Sequence, residues 1–168
     1  MTAVLHPQSA QLSPLNRSLV RGAAGGLAGG MMLAMFAMLV AIGEDGFWSP
    51  VRGITSVVFG DEHYGGGFEF GPVVVGLMAH MMNSVMLGAA FAVVAGRVLK
   101  RPSLASALSL GMAFGLVTWL AMVVVVSGIL QDSDLFADAV PAWAWIAGHA
   151  MFGLVTGGVW ARFTGPRS

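Results

Sequence analysis

Long apolar stretches alternate with short charged stretches along this chain, and that alternation predicts its helices. A membrane-spanning helix needs roughly 20 consecutive apolar residues. Four stretches meet that length: residues 22–43, 72–96, 103–130 and 140–161. None of them contains Asp, Glu, Lys or Arg. The pattern predicts an all-α integral membrane protein, an up-down-up-down four-helix bundle that forms one domain over residues 17–168.

The composition supports lipid as the main partner of the chain. Of 168 residues, 57% are hydrophobic and only 10% are charged, whereas about a quarter of a soluble domain is charged. There is no Cys, which excludes disulfides, thiolate nucleophiles and Cys-ligated zinc or iron–sulfur clusters. No Ser/His/Asp set and no phosphate-binding loop stands out. We therefore expect neither a catalyst acting on its own nor a nucleic-acid partner.

The charged residues predict an orientation in the membrane. Cytoplasmic loops carry an excess of Lys and Arg, and seven of the eight basic residues fall at one end of the predicted helices: Arg17, Arg21, Arg97, Lys100, Arg101, Arg162 and Arg167. The eight acidic residues lie in the other two loops, with Arg52 as the basic residue among them. Both termini are expected in the cytoplasm, in a membrane such as the bacterial cytoplasmic membrane. The acidic outer surface would suit a basic redox partner.

A short helix is predicted in the first outer loop, over residues 50–59. Ser49 and Pro50 form a good N-cap and first-turn pair, and Gly60 is a suitable C-terminal stop. Four apolar residues fall largely on one face: Val51, Ile54, Val57 and Val58. This face predicts an interfacial helix lying on the outer leaflet.

The flanking segments are expected to be less ordered. Residues 61–71, which include three consecutive glycines, are predicted to form a mobile acidic loop. Residues 1–16 are predicted to be a disordered cytoplasmic tail. Tryptophans at both ends of the fourth predicted span are typical of interfacial aromatic belts: Trp143, Trp145 and Trp160.

The two halves of the sequence also resemble each other. At an offset of 69 residues, Pro72 falls on Pro141 and His80 on His149. At an offset of 85, two glycines of the first span fall on two of the third: Gly26 on Gly111 and Gly30 on Gly115. These matches predict two tandem helical hairpins of the same orientation, an internal repeat about an axis along the membrane normal.

Glycines recur at four-residue spacing on three of the predicted helices. Gly22, Gly26 and Gly30 are one such series, and small residues at this spacing let helix backbones approach closely in lipid. The glycine faces predict tight helix packing within the chain. They also suit contact with other membrane subunits or with a second copy of the chain.

His80 and His149 are the ionisable residues inside the predicted spans. Such residues are costly in a bilayer and indicate function. Each lies eight residues after its proline, about 12 Å from the outer helix end at 1.5 Å per residue. In the predicted bundle their helices are diagonal neighbours, so the two rings are expected to point at one another.

Two imidazoles in this arrangement suit the axial positions of one b-type haem. The arrangement resembles that of membrane b-type cytochromes, in which axial histidines come from parallel helices at matching depth. Small residues share the faces of the two histidines and could leave room for the macrocycle: Gly76, Ser84, Gly88, Gly153 and Gly157. The first functional hypothesis is therefore an electron-transfer subunit holding one haem b near the outer face.

The same histidines have other interpretations. In a cofactor-free structural or accessory subunit of a larger membrane complex, they would join a polar network with Asn83 and Thr156. A metal ion, a proton relay and a quinone contact are further alternatives. Clustered methionines on the first two spans raise copper binding, although their spacing converges on no single point. His63 is either a weak metal ligand or a solvated loop residue.

Overall fold

The structure of this protein is a computed structural model that describes residues 12–100, 102–125 and 139–164. These residues form five α-helices and no strand. The helices are α1 (Pro14–Ala41), α2 (Ser49–Phe59), α3 (Phe70–Val98), α4 (Leu104–Val125) and α5 (Ala142–Arg162), with a 3₁₀ turn (Asp61–His63) between α2 and α3. The all-helical prediction is confirmed for these residues.

Three of the described helices are long and apolar enough to cross a membrane: α1, α3 and α4. They contain 28, 29 and 22 residues. At 1.5 Å per residue each is longer than the roughly 30 Å hydrocarbon core of a bilayer. Contact with lipid is consistent with these helices, because most of the residues in their most apolar windows are not buried by the rest of the protein.

The packing of the long helices is uneven. α1 packs along both α3 and α5, and α5 packs along α4. By contrast, α3 touches α4 and α5 only slightly. The helices therefore form two tight pairs, α1 with α3 and α4 with α5, joined through α1 and α5. The edge between α3 and α4 is loosely closed.

Glycines bring the backbones of each pair into direct contact. A Cβ on Gly26 would overlap the Ser84 carbonyl and the backbone of Gly88. In the other pair, a Cβ on Gly111 would overlap the Gly153 carbonyl. The predicted role of the glycine series in close helix packing therefore agrees with the contacts in both pairs.

Trp160 differs from its predicted place in an interfacial belt. Only 2% of its surface is exposed, and its ring meets the edge of Phe91 with 5.9 Å between ring centroids. Its indole N–H donates to Ser18 Oγ at 3.1 Å. Ser18 of α1 supplies the acceptor that a buried indole needs, so Trp160 is part of the core.

The N-terminal end of α1 corrects the predicted disordered tail. The helix begins at Pro14, eight residues before the predicted start, because Ser13 caps it. The Ser13 hydroxyl accepts from the Asn16 amide at 3.2 Å, and proline suits the first turn of a helix. Residues 1–11 of the predicted tail lie outside the described residues, as do residues 126–138, which contain the predicted end of the third span.

The start of α2 also differs from its prediction, whereas its end agrees. Trp48 occupies the N-cap position, and the Ser49 hydroxyl donates back to the Gly46 carbonyl at 2.8 Å. Ser49 is therefore the first helical residue and not the cap. Gly60 ends the helix as predicted, with a φ of 112° that side chains other than glycine rarely adopt.

The predicted apolar face of α2 is only partly buried, with Val51 at 2% exposed, and polar side chains make up much of the face that packs against the protein. Arg52, Thr55 and Ser56 are 4%, 3% and 1% exposed, whereas Val58 is 64% exposed. Buried polar groups need partners, and Thr55 donates to the Pro72 carbonyl at 2.6 Å. The polar side of α2 therefore faces the start of α3 and the loop that leads to it.

Arg52 holds that loop, which was predicted to be mobile. Its Nε donates to the His63 carbonyl at 2.8 Å, its Nη2 to that of Tyr64 at 3.2 Å and its Nη1 to that of Gly67 at 3.1 Å. Nη2 also lies 2.7 Å from the Glu69 carboxylate. The α2–α3 loop, residues 60–69, is thus tied to α2 at four points.

Candidate functional site: a cavity at the α3–α4 edge

A cavity of about 60 Å³ lies where α3, α4 and α5 meet, and α1 and α2 complete its wall. Its polar lining residues are His80, Asn83, Ser84, Thr118 and His149. Apolar side chains fill the rest of the lining, among them Ile54 of α2 and Met122 of α4. The cavity is therefore placed at the loosely closed edge of the helix assembly.

His80 is oriented by a hydrogen bond between helices. Its Nε2 lies 2.9 Å from the Gly30 carbonyl of α1. A carbonyl oxygen only accepts hydrogen bonds, so Nε2 is the nitrogen that carries the proton. In the neutral ring, Nδ1 is then left as a hydrogen-bond acceptor.

His149 is oriented by its own helix. Its Nδ1 lies 2.8 Å from the Trp145 carbonyl, one turn earlier on α5, and the residue is 7% exposed. By the same reasoning Nδ1 carries the proton, and Nε2 is the acceptor of the neutral ring. The two rings therefore present opposite nitrogens.

The second nitrogen of each ring has no hydrogen-bond partner among the described residues. Within that part of the chain, no fully buried side-chain nitrogen or oxygen lacks a partner. Both free nitrogens must therefore reach accessible surface. His80 and His149 also line one cavity, so two rings that each keep a free acceptor border the same space.

The neighbouring hydroxyl groups add further acceptors. Ser84 donates its proton to the His80 carbonyl at 2.7 Å, and Thr118 donates to the Phe114 carbonyl at 2.9 Å. Their oxygens keep the capacity to accept. Asn83 differs from both, because it is exposed and no described residue pairs with its carboxamide.

The predicted site residues divide into two groups. His80, His149 and Ser84 line the cavity together. The four predicted glycines do not line it and instead meet the backbones of neighbouring helices or loops: Gly76 against α2, Gly88 against α1, and Gly153 and Gly157 against α4. The glycines therefore serve helix packing, and the space beside them is filled.

The residues as placed do not fit a haem held by both imidazoles. A cavity of about 60 Å³ has room for about four to six water-sized groups, since each water needs roughly 10–15 Å³ on this scale. The Nε2 of His80 is directed at the Gly30 carbonyl and not at His149. The small residues expected to make room for a macrocycle are packed against backbone.

Thr118 and Met122 were not predicted as site residues. Their side chains join the cavity because of how α4 is rotated against α5, which the chain alone does not specify. One signal was present for Thr118, because it is the sole hydroxyl residue in the last 16 residues of α4.

The geometry gives little support to the predicted metal sites at the histidines, at His63 and at the methionines. No group of three or more His, Cys, Asp or Glu side chains forms a metal site within the described residues. His63 lies 3.9 Å from Glu62 in the α2–α3 loop. The clustered methionines are mostly exposed and scattered over helix surfaces: Met31, Met32, Met35, Met78, Met82 and Met86.

Comparison with known proteins assigns this chain to no family. No protein-family description, no curated protein and no solved structure matches the chain. Its function is therefore inferred from its own residues.

Proposed function

We propose that this protein is a cofactor-free accessory subunit of a membrane assembly, in which His80 and His149 belong to a polar network. The observation that carries the proposal is the hydrogen bond from His80 Nε2 to the Gly30 carbonyl. It joins α3 to α1 and gives the imidazole a structural partner. Thr156 of α5 also faces α1: its hydroxyl donates to the Phe152 carbonyl of its own helix at 2.7 Å and lies 3.3 Å from the Gly25 carbonyl of α1.

The proposed architecture is a four-helix transmembrane bundle in which α1, α3, α4 and α5 all cross the bilayer. α5 packs along two of the three helices that are long and apolar enough to span. The basic residues at one end of the helices and the acidic residues at the other support cytoplasmic termini. α2 then lies at the outer surface.

An internal duplication is part of the same proposal. Gly26 contacts Ser84 and Gly88, and Gly111 contacts Gly153 and Gly157. The offset of 85 carries Gly26 to Gly111, and the offset of 69 carries Ser84 and Gly88 to Gly153 and Gly157. Equivalent residues thus make equivalent contacts in the two helix pairs, which supports two tandem hairpins.

The role as a subunit is supported by an exposed methionine stripe on α3. Met78, Met82 and Met86 follow one another at four-residue spacing, and each is more than 60% exposed. Methionine adapts to irregular apolar surfaces and is common at interaction sites. We propose that this stripe contacts another membrane subunit or a second copy of the chain.

Electron transfer by a haem is the second candidate: it would require the helices around the small cavity to rearrange, and one observation favours it. Each ring donates one N–H to a backbone carbonyl and leaves the other nitrogen free, as metal-ligating histidines do. The visible spectrum separates the two candidates. Detergent-purified protein, expressed with ample haem supply, is expected to be colourless before and after dithionite.

His80→Ala and His149→Ala are expected to remain folded, because each removes one hydrogen bond of about 1 kcal/mol and leaves a small cavity. Circular dichroism and size-exclusion chromatography check the fold. A sharp reduced band of the b type, lost in both variants, would instead establish the electron-transfer function.

The proposed orientation can be tested with single cysteines, since the chain has none. Gly67 suits an outer label, because a Cβ there meets nothing within 4 Å, and exposed Ser103 suits an inner one. In intact cells, a membrane-impermeant maleimide is expected to label Gly67→Cys. Ser103→Cys should react only after permeabilisation. The opposite pattern would reverse the proposed topology.

A further inference from the structure

Hydrogen-bond acceptors dominate the polar lining of the α3–α4 cavity. His80 Nδ1 and His149 Nε2 are free acceptors, and the Ser84 and Thr118 oxygens accept as well. The Asn83 carboxamide both donates and accepts. The matching ligand is one that brings O–H or N–H donors.

We propose that this cavity binds the hydroxyl head group of a membrane-dissolved lipophile, such as a quinol or a long-chain alcohol. Its O–H groups would donate to His80 Nδ1 and His149 Nε2, while Asn83 contacts the head group at the cavity mouth. The inference goes beyond the proposed subunit role. It rests on the cofactor-free part of that role, because a haem iron would occupy the same two nitrogens, His80 Nδ1 and His149 Nε2.

Asn83 is the second, independent observation that points to a ligand. It lies 13 residues after Phe70, about 20 Å along a helix of about 43 Å at 1.5 Å per residue, so it is near the midplane when α3 spans the bilayer. It is exposed, and no described residue pairs with it. An unpaired polar group is costly in hydrocarbon and indicates function. A bound head group would supply the missing partner.

The route into the cavity leads from the lipid. Asn83 is exposed and also part of the cavity wall, so the cavity communicates with the surface between α3 and α4. These two helices touch only slightly. A volume of about 60 Å³ accepts a head group, and the tail would remain among the acyl chains.

The acceptor-rich lining also predicts discrimination between closely related ligands. A quinol offers two O–H donors, whereas the quinone of the same skeleton offers only carbonyl acceptors. Carbonyl oxygens would face the lone pairs of both ring nitrogens without a proton between them. The site should therefore prefer quinol over quinone, and an alcohol over its methyl ether.

Photocrosslinking with a long-chain alcohol tests the proposal on the full chain in lipid nanodiscs. The probe carries a diazirine next to its hydroxyl group, and mass spectrometry locates the adducts. Adducts are expected on cavity residues of α3, α4 and α5. A decyl-substituted quinol or dodecanol should compete at least tenfold better than the matching quinone or dodecyl methyl ether.

Competition by both the quinol and dodecanol would support a general hydroxyl site. Competition by the quinol but not by dodecanol would support a hydroxyl-binding site whose ligand is a quinol. Adducts spread evenly over lipid-facing residues, or equal competition by the ether, would overturn the proposal.

Two variants complete the test. Asn83→Leu is expected to fold, because the side chain is exposed, and to lose at least tenfold in crosslinking yield. Met82→Leu is the matched control, since Met82 is the preceding residue, is exposed and does not line the cavity. It should keep the yield of the unaltered chain. Equal yields from the two variants would overturn the site.

The visible spectrum and the metal content of the purified protein distinguish failure of the cofactor-free role from failure of the hydroxyl site. A haem band in the purified protein would contradict the cofactor-free role and this inference together. One equivalent of copper or zinc, measured by elemental analysis, would likewise contradict both. A colourless, metal-free protein whose adducts spread evenly over lipid-facing residues would overturn only the hydroxyl site.

Discussion

Gly88→Ala is expected to separate α1 from α3 and to lower the stability of the folded protein severely. A Cβ at this position would overlap the Gly22 carbonyl and the backbone of Gly26. Backbone atoms of a helix cannot rotate away as a side chain can, so the two helices must move apart along their contact. Overpacking of this kind costs about 1–3 kcal/mol and occasionally more. We expect at least the upper end of that range.

The measurement is the midpoint of thermal unfolding in detergent, followed by size-exclusion chromatography. Gly96→Ala is the matched control, because it lies eight residues further along α3 and a Cβ there meets nothing within 4 Å. Alanine favours a helix over glycine by up to about 1 kcal/mol, so this variant should be as stable as the unaltered chain or more so. If both variants unfold at one temperature, the α1–α3 backbones are not in contact.

Gly153→Ala extends the comparison to the second helix pair. Its Cβ would overlap the Gly111 carbonyl of α4, so a loss similar to that of Gly88→Ala is expected. Similar losses would also support the proposed duplication, since the two glycines lie at equivalent contacts.

The close packing of these helices could be predicted from glycine spacing, but the partners of individual glycines could not. Gly26 and Gly111 were expected to let helices approach, and they do. Gly88 and Gly153 were expected to leave room for a cofactor. A glycine leaves the same gap for a ligand and for a backbone, so only the rotation and pairing of the helices separate the two uses.

The proximity of the two histidines could be predicted from the sequence, but their hydrogen bonds could not. His80 and His149 line one cavity, as expected from their equal distances to the two prolines. However, their N–H groups are turned to the Gly30 and Trp145 carbonyls. Which carbonyl a ring reaches depends on α1 lying against α3, a contact between residues 50 positions apart in the chain.

Arg52 was the largest omission among the structural residues. The sequence marks it only as the one basic residue in the acidic outer loops, within a helix whose apolar face is predicted to lie on the outer leaflet. Three of its four partners are backbone carbonyls, and every residue type offers a carbonyl. No sequence pattern therefore marks the loop that a buried arginine will hold.

Arg52→Ala is expected to release the α2–α3 loop from α2. The arginine side chain is 5% exposed and supplies the donors for the His63, Tyr64 and Gly67 carbonyls. Hydrogen bonds to a charged group contribute about 1.5–3 kcal/mol each, and rearrangement of the loop sets how much of the contribution of the three bonds is lost. Hydrogen–deuterium exchange should show faster exchange of backbone amides over residues 60–69, together with a lower unfolding temperature.

Glu69→Gln separates the carbonyl contacts from the ion pair. The Glu69 side chain is 57% exposed, and exposed ion pairs contribute at most about 1 kcal/mol. Its loss should leave exchange over residues 60–69 nearly unchanged. If Glu69→Gln were as damaging as Arg52→Ala, the ion pair and not the carbonyl contacts would hold the loop.

Arg52→Ala is also expected to affect the cavity, because Ile54 of α2 forms part of the cavity wall. Loss of the contacts between α2 and the loop should weaken retention of a ligand between α3 and α4.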